Sequence, residues 1–325
     1  MYVFGDGVCT TTNGPGGPYY HGKRYCNGRV WVEVLAQRQG LTYESNKNWS
    51  YYGHYTSQLV TNVNNFTAPG DASNALFIVW CADADFVSNV RDYGTNITQW
   101  TNAINQSLTN HFKAITNLYH AKGARTVIMP NAVDLTKVPF YLNYTDQQNF
   151  IRQRTIEFNA VFGTTLINQI KTNCPNIAIY VPDIFTLLDD VVAHSTNYGL
   201  IKPKTFVFKD LPPTDWALNG PGTNYVFWDD LNPTAKFQAL VADVVQQLIS
   251  PVQITTLTLL NGSNRLDVAN IPIGRNGVVE GSTDFVNWTS AQSFNSTNAT
   301  QMIFVPASDP LKFYRLRFPF AWFWP

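Results

Sequence analysis

The sequence is poor in charge and has no excess of either sign. Only 14% of its 325 residues are charged, and 22 Lys and Arg balance 22 Asp and Glu, so the formal net charge is zero. A chain without basic excess lacks the electrostatic footprint by which proteins hold nucleic acid. No apolar run reaches the roughly 18 residues that a membrane-spanning helix requires. We therefore expect no nucleic-acid partner and no membrane span.

Cysteine is also scarce. Its four copies, Cys9, Cys26, Cys81 and Cys174, include no C-x-x-C pair of the kind that zinc and redox sites use. We expect neither a metal nor a cofactor. No signal peptide precedes the first apolar segment at Tyr2. Because low charge is more common outside cells, we expect a secreted or cell-surface protein that has lost its leader, rather than an intracellular one.

The first 250 residues alternate between strand-like and helix-like segments. Residues 75–81 form a continuous apolar run typical of a buried parallel strand, and apolar residues recur at helical spacing over residues 97–118. Asn232 followed by Pro233 is typical of a helix N-cap and first turn. This alternation predicts an α/β fold with a parallel sheet covered on both faces, whose ligands bind beyond the carboxyl ends of the strands.

The pattern changes after residue 250. Short β-rich runs follow one another with turn residues between them, and no helical period appears. We predict a first domain over residues 1–250 and a small all-β, sandwich-like module over residues 251–325. The apolar ending from Phe318 to Pro325 either packs on the protein or docks on a neighbour, and docking would build a homo-oligomer or filament.

Four short blocks resemble, in order, the sequence blocks of the SGNH (GDSL-type) hydrolase family. They are Phe-Gly-Asp-Gly at residues 4–7, Asn-Gly-Arg-Val-Trp at 27–31, Trp-Cys-Ala-Asp-Ala-Asp-Phe at 80–86 and Trp-Asp-Asp-Leu-Asn-Pro-Thr at 228–234. The resemblance covers about residues 1–249 and implies a three-layer α/β/α, flavodoxin-like fold. The remainder is similar, more loosely, to β modules of large secreted bacterial proteins.

The blocks depart from the family where its chemistry lies. The family's serine, which attacks the ester carbonyl, is Gly7, and its histidine base is Asn232. The asparagine that donates to the oxyanion is Ala84, and Asp229 is left without an imidazole to orient. The resemblance implies a backbone oxyanion donor at Gly28. The candidate catalytic positions are therefore Gly7, Gly28, Ala84, Asp229 and Asn232, and the predicted rim of the pocket comprises Asp6, Cys9, Ala82, Asp85 and Trp228.

The cysteines leave two alternatives open. The resemblance implies that the first two blocks meet at the pocket rim, which would bring Cys9 and Cys26 together as a disulfide. Alternatively, Cys9 with His21 or His54 would form a new nucleophile and base. Gly7 and Asn232 also have structural explanations, as a turn residue and a helix cap.

Three departures at once favour loss of catalysis over a single inactivating change. We therefore interpret the chain as a secreted SGNH-fold protein that has lost catalysis and that binds a glycan or a protein surface, or serves an assembly. The alternative is an active or inactivated GDSL-type serine esterase or carbohydrate deacetylase.

Overall fold

The computed structural model describes residues 1–307 and 312–318, so of the predicted docking segment only Phe318 lies within the described residues. The chain divides into two compact units, which are described separately. The first comprises Met1–Val34 and Tyr43–Val244. The second comprises Leu35–Thr42 together with the described residues from Val245 onward.

The first unit is built on a four-stranded parallel sheet, as predicted. Its order is β1-β2-β3-β4, with Tyr2 paired to Phe77 and Leu76 paired to Thr126 in register. A separate parallel pair joins two further strands, β5 and β6. The strands are β1 (Tyr2–Gly5), β2 (Leu76–Trp80), β3 (Thr126–Ile128), β4 (Ala178–Tyr180), β5 (Ile201–Phe206) and β6 (Tyr225–Phe227).

Helices connect these strands, which makes the fold α/β. The apolar period over residues 97–118 forms one long helix whose inward face buries Trp100, Ile115 and Leu118. The helices are α1 (Trp31–Arg38), α2 (Thr56–Asn65), α3 (Asp83–Tyr93), α4 (Ile97–His120), α5 (Gln148–Val161), α6 (Ile167–Asn173), α7 (Ile184–Ala193), α8 (Val207–Asp210) and α9 (Ala235–Ile249). No helix in the described part of the chain combines the length and apolar character needed to cross a membrane.

The expected helix cap at Asn232 is wrong. Helix α9 begins at Ala235, three residues later. Asn232 instead accepts a backbone hydrogen bond from Trp228 at 2.8 Å, and Pro233 forms an antiparallel bridge with Phe227. The segment between β6 and α9 therefore turns back on the strand, and this leaves the Asn232 side chain available for other contacts.

The second unit contains the predicted small all-β region. Its two antiparallel three-stranded sheets have the orders β11-β8-β7 and β10-β9-β12. One cluster of buried side chains, including Leu266, Val279, Phe294 and Ile303, draws on both sheets, as in a sandwich. The strands are β7 (Gln253–Leu260), β8 (Ser263–Ala269), β9 (Asn276–Ser282), β10 (Thr289–Asn295), β11 (Thr300–Pro306) and β12 (Phe313–Arg317).

Candidate functional site

The carboxyl ends of β1 and β2 open onto a cavity of about 170 Å³ in the first unit. Four of the predicted site residues line it: Asp6 and Gly7 after β1, Ala84 in the first turn of α3, and Asn232 after β6. A parallel sheet places the ends of neighbouring strands at one edge, which is why the segments after β1 and β2 meet. The other lining residues are mostly apolar or aromatic and include Val8, Tyr52, Tyr55, Val87, Val133, Leu135 and Val138.

Gly7 has room for a side chain. A Cβ atom added there would lie 3.4 Å from the Tyr52 ring, 3.6 Å from the Tyr25 ring and 3.7 Å from Asn232 Oδ1. These are ordinary van der Waals distances, and Gly7 is not among the residues with positive φ. The backbone therefore does not require glycine at this position, which lacks only the nucleophilic side chain.

Asn232 is held against Asp229. Its Nδ2 donates to Asp229 Oδ1 at 2.9 Å and to Oδ2 at 3.1 Å, and its backbone N–H donates to Oδ1 at 2.6 Å. The amide oxygen of Asn232 faces the space above Gly7, 3.7 Å from a Cβ atom added there. The amide thus imitates a triad imidazole, with a donor towards the carboxylate and an acceptor towards the nucleophile position. An amide cannot take up a proton near neutral pH, so the pair has no general base.

Asp229 is buried, and both of its carboxylate oxygens accept hydrogen bonds. Besides Asn232 it accepts from the backbone N–H of Leu231 at 3.0 Å and from the Tyr20 hydroxyl at 3.0 Å. Burial raises the pKa of Asp229 above its ordinary value, while these donors act in the opposite direction. The carboxylate anchors the whole turn between β6 and α9.

The predicted oxyanion donors are largely absent from the cavity. Ala84 lies in the lining but presents a methyl group where the family has an amide. Gly28 is buried and does not line the cavity, and its backbone amide lies against the Cys26 thiol. Stabilisation of a tetrahedral oxyanion would therefore depend on the backbone beside Gly7.

Two carboxyl groups meet the cavity, and sequence reasoning missed the second. Asp6 Oδ1 accepts from Val8 N at 3.2 Å, and Asp83 Oδ1 accepts from Val133 N at 3.1 Å. Burial raises the pKa of Asp6 to about 7, and burial together with the charge of Asp6 raises the pKa of Asp83 well above its ordinary value. Asp83 lies between Ala82 and Ala84, at the position where the family's block allows any residue. The block therefore gave no reason to predict Asp83 as a site residue. The only available hint was an acidic residue directly after a buried strand.

The other predicted rim residues do not line this cavity. Trp228 is fully buried in a small cluster with Val207 and Tyr225. Asp85 accepts from the Thr56 backbone N–H at 2.8 Å and from its hydroxyl at 2.9 Å, so it fixes the start of α2. Ala82 is buried just before α3, and Cys9 lies inside the core.

The predicted Cys9–Cys26 disulfide is wrong, since all four cysteines are free and buried. Cys9 Sγ accepts from Trp31 Nε1 at 3.3 Å and occupies the space that the missing Gly5 side chain leaves. Cys26 Sγ instead lies 3.7 Å from the Asn27 side-chain oxygen. The two thiols therefore contact different residues and not each other.

A Cys9–His54 pair receives no support from the packing. His54 Nδ1 donates to the Gly5 carbonyl at 2.7 Å, its Nε2 lies 2.9 Å from Asn62 Nδ2, and its ring stacks on Tyr51. The thiol beside it is that of Cys81, at 3.7 Å. Burial raises the pKa of the Cys9 thiol well above its ordinary value, so a reactive thiolate is disfavoured.

Comparison with known proteins agrees with the sequence blocks. A family model described as GDSL-like Lipase/Acylhydrolase matches residues 1–245. A GDSL esterase/lipase of Arabidopsis thaliana is 22% identical over 188 residues, which are 53% of this chain and 50% of that protein. The chain thus spans about half the length of the curated relative that it matches.

Proposed function

The chain belongs to the GDSL lipase/acylhydrolase family over residues 1–245, and from that premise we propose that it is a member without esterase chemistry that uses the cavity beside Gly7 to bind a ligand. The contact between Asn232 and Asp229 carries this proposal. In this pair Asn232 donates to the Asp229 carboxylate and turns its amide oxygen towards Gly7, while Gly7 offers no nucleophile and Asn232 accepts no proton.

The expected loss of rate is large. Without nucleophile and base, a serine hydrolase retains an acceleration of roughly 10³–10⁴ over water. Loss of one side-chain oxyanion donor, here at Ala84, costs a further ~3–4 kcal/mol of transition-state stabilisation. Together these changes would leave ester hydrolysis near the background rate.

Rebuilding the site tests this proposal. We expect the native protein and Gly7→Ser to hydrolyse p-nitrophenyl acetate at background rates, and Gly7→Ser with Asn232→His to hydrolyse it measurably. The reason is that the space above Gly7 admits a side chain and Asp229 remains to orient an imidazole. Gly163→Ser with Asn232→His is the matched control, because position 163 is open but remote from the cavity lining.

Adding Asp229→Asn to the rebuilt enzyme should abolish the recovered activity, because the imidazole would lose its orienting carboxylate. Robust turnover by the native protein, abolished by a serine- or cysteine-directed inhibitor, would contradict the proposal. A rebuilt site as inactive as its control would contradict the assignment of the loss to Gly7 and Asn232, by showing that the cavity lacks catalytic geometry for another reason.

Ester hydrolysis or carbohydrate deacetylation by another route is the second candidate function. The carboxyls of Asp6 and Asp83 favour it, because a cavity with two groups of raised pKa has the elements of acid–base catalysis. If this route operates, native turnover should resist serine- and cysteine-directed inhibitors and disappear in Asp83→Asn. If the native protein and Asp83→Asn both hydrolyse esters only at the background rate, this second function is excluded.

Location and partner remain proposals. Low charge and 14% aromatic residues are consistent with a secreted protein that contacts a glycan or another protein. Because all four cysteines are free, no disulfide supports an oxidising compartment such as the cell exterior. Assembly through Phe318 to Pro325 stays a prediction, because residues 319–325 lie outside the described part of the chain.

A further inference from the structure

A second recess of about 380 Å³ adjoins the cavity and shares Tyr52, Leu231 and Asn232 with it. Its lining comes from four segments of the first unit: the long loop before α1, the loop before α2, the junction of β5 and α8, and the turn after β6. Its aromatic and acidic lining residues include Tyr20, Tyr25, Tyr52, Phe208, Asp229 and Asp230. We call it the aromatic recess.

The rings of the aromatic recess form a continuous wall. Tyr20 meets Phe208 at a centroid distance of 5.6 Å and an angle of 85°, and it meets Tyr25 at 6.4 Å and 72°. Tyr25 in turn contacts Tyr52 at 5.2 Å and 35°. Because Tyr20 is steeply inclined to both Phe208 and Tyr25, the ring faces point in several directions, and the lining is suited to a compact group contacted from more than one side.

The recess carries negative charge only. Asp229 and Asp230 line it, and its described lining contains no lysine, arginine or histidine. The effect reaches the neighbouring hydroxyls: burial, and after it the Asp229 and Asp230 charges, raise the pKa of Tyr52. A cleft that combines carboxylates with the electron-rich faces of tyrosines attracts cations and repels anions.

We propose that the aromatic recess binds a small organic cation of the quaternary ammonium class, with the ammonium group against the tyrosine rings and its charge balanced by Asp230. The trimethylammonium group is compact, weakly hydrated and attracted to several ring faces at once, which is how aromatic cages recognise it. A neutral sugar ring, by contrast, stacks on one flat ring face and brings no positive charge to balance the carboxylates. This site does not depend on whether the cavity beside Gly7 hydrolyses esters.

A pair of isosteric probes separates charge from shape. Choline and 3,3-dimethyl-1-butanol have the same branched outline, but only choline is charged. We expect titration calorimetry on the full-length native chain to show choline binding at least about tenfold more tightly than the neutral alcohol. Neutral disaccharides should bind more weakly than choline.

Two variants tie the binding to the recess. Asp230→Asn removes the balancing charge at constant size, and Tyr25→Leu removes a central ring, so each should weaken choline binding by roughly tenfold. Asp71→Asn, an exposed residue outside the recess lining, is the matched charge-removal control and should bind as the native chain does. Urea unfolding of each variant verifies that the fold is retained, and Asp230→Asn serves if Tyr25→Leu proves unstable.

Several results would overturn the proposal. Equal binding of choline and the alcohol would show that shape, not charge, is recognised. Tighter binding of a disaccharide would assign the recess to sugars, and undiminished choline binding in Asp230→Asn would place the cation elsewhere. None of these measurements involves ester hydrolysis. A negative result for cation binding would therefore leave the proposed loss of catalysis untouched.

Discussion

At the scale of single residues, Asn232 and Gly7 separate the geometry of a catalytic site from its chemistry. Asn232 keeps two hydrogen bonds to the Asp229 carboxylate and presents an acceptor above Gly7. Catalysis by such a pair needs a group that gains and loses a proton during the reaction. An amide cannot do so, although its hydrogen bonds to the carboxylate remain.

The buried carboxyl group of Asp6 should make the stability of the fold depend on pH. Its pKa is raised to about 7 by burial, whereas in the unfolded chain it should lie near its ordinary value of about 4. At a pH between these two pKa values, Asp6 is protonated in the folded protein but has released its proton in the unfolded chain. This contribution to stability is therefore fully present at low pH and is lost as the pH rises through about 7.

The measurement compares native protein with Asp6→Asn by urea unfolding from about pH 4.5 to 8. We expect the free energy of unfolding of the native protein, relative to the variant, to fall as pH rises, by at most about 1.4 kcal/mol per pH unit for one proton. Asp71→Asn, at an exposed position, should follow the native curve. Parallel curves for native protein and Asp6→Asn would contradict the raised pKa.

At the scale of elements, the first turns of α1 and α9 cap each other. Gln238 Oε1 on α9 accepts from the Trp31 backbone N–H at 3.1 Å, and Asn27 Oδ1 accepts from the Ala235 backbone N–H at 2.8 Å. Gln238 Nε2 also donates to the Val8 carbonyl at 3.3 Å, which ties this pair of helices to the cavity loop. Buried helix ends need such partners because their first amides have none within the helix.

Asn27→Ala tests this mutual capping. The change leaves the buried Ala235 amide and the Leu218 carbonyl without the Asn27 side chain, so we expect a loss of about 2–3 kcal/mol in the free energy of unfolding. Asn96→Ala is the comparison, since Asn96 caps α4 at an exposed site and should cost about 1 kcal/mol. Urea unfolding measures both. A loss at Asn27 no greater than that at Asn96 would refute the structural role.

At the scale of the whole molecule, the two units have separate hydrophobic cores. The β region holds its own cluster of buried residues, and within it Gly277 makes room for Phe294. A Cβ atom at Gly277 would lie 2.2 Å from the Phe294 ring, which no packed structure tolerates. The ring therefore lies directly against the backbone of the neighbouring strand.

Gly277→Ala should consequently destabilise the β region alone. Moving the Phe294 ring aside should cost about 1–3 kcal/mol, as overpacked cores do. We expect calorimetry to show two transitions in the native protein, with only one lowered in the variant. Gly163→Ala, where no atom lies within 4 Å of the added methyl group, should lower neither. One transition that moves as a unit would show that the two units unfold together.

Much of this protein was determined by its sequence alone. The alternation of apolar runs and helical periods predicted the parallel sheet, because periodicity reflects which side of a segment is buried. The four blocks predicted the family, and the identities of Gly7 and Asn232 exclude serine chemistry at those positions whatever the fold. These conclusions rest on local pattern and on side-chain chemistry, which a sequence states directly.

Tertiary structure decided how those side chains are used. Cys9 turns into the core and not towards Cys26, Asp83 reaches the cavity although its block position is variable, and Asn232 binds Asp229 instead of capping a helix. The aromatic recess joins Tyr20 to Asp229, 209 positions apart in the chain. Burial and side-chain direction depend on contacts between such distant segments, and no local pattern records them.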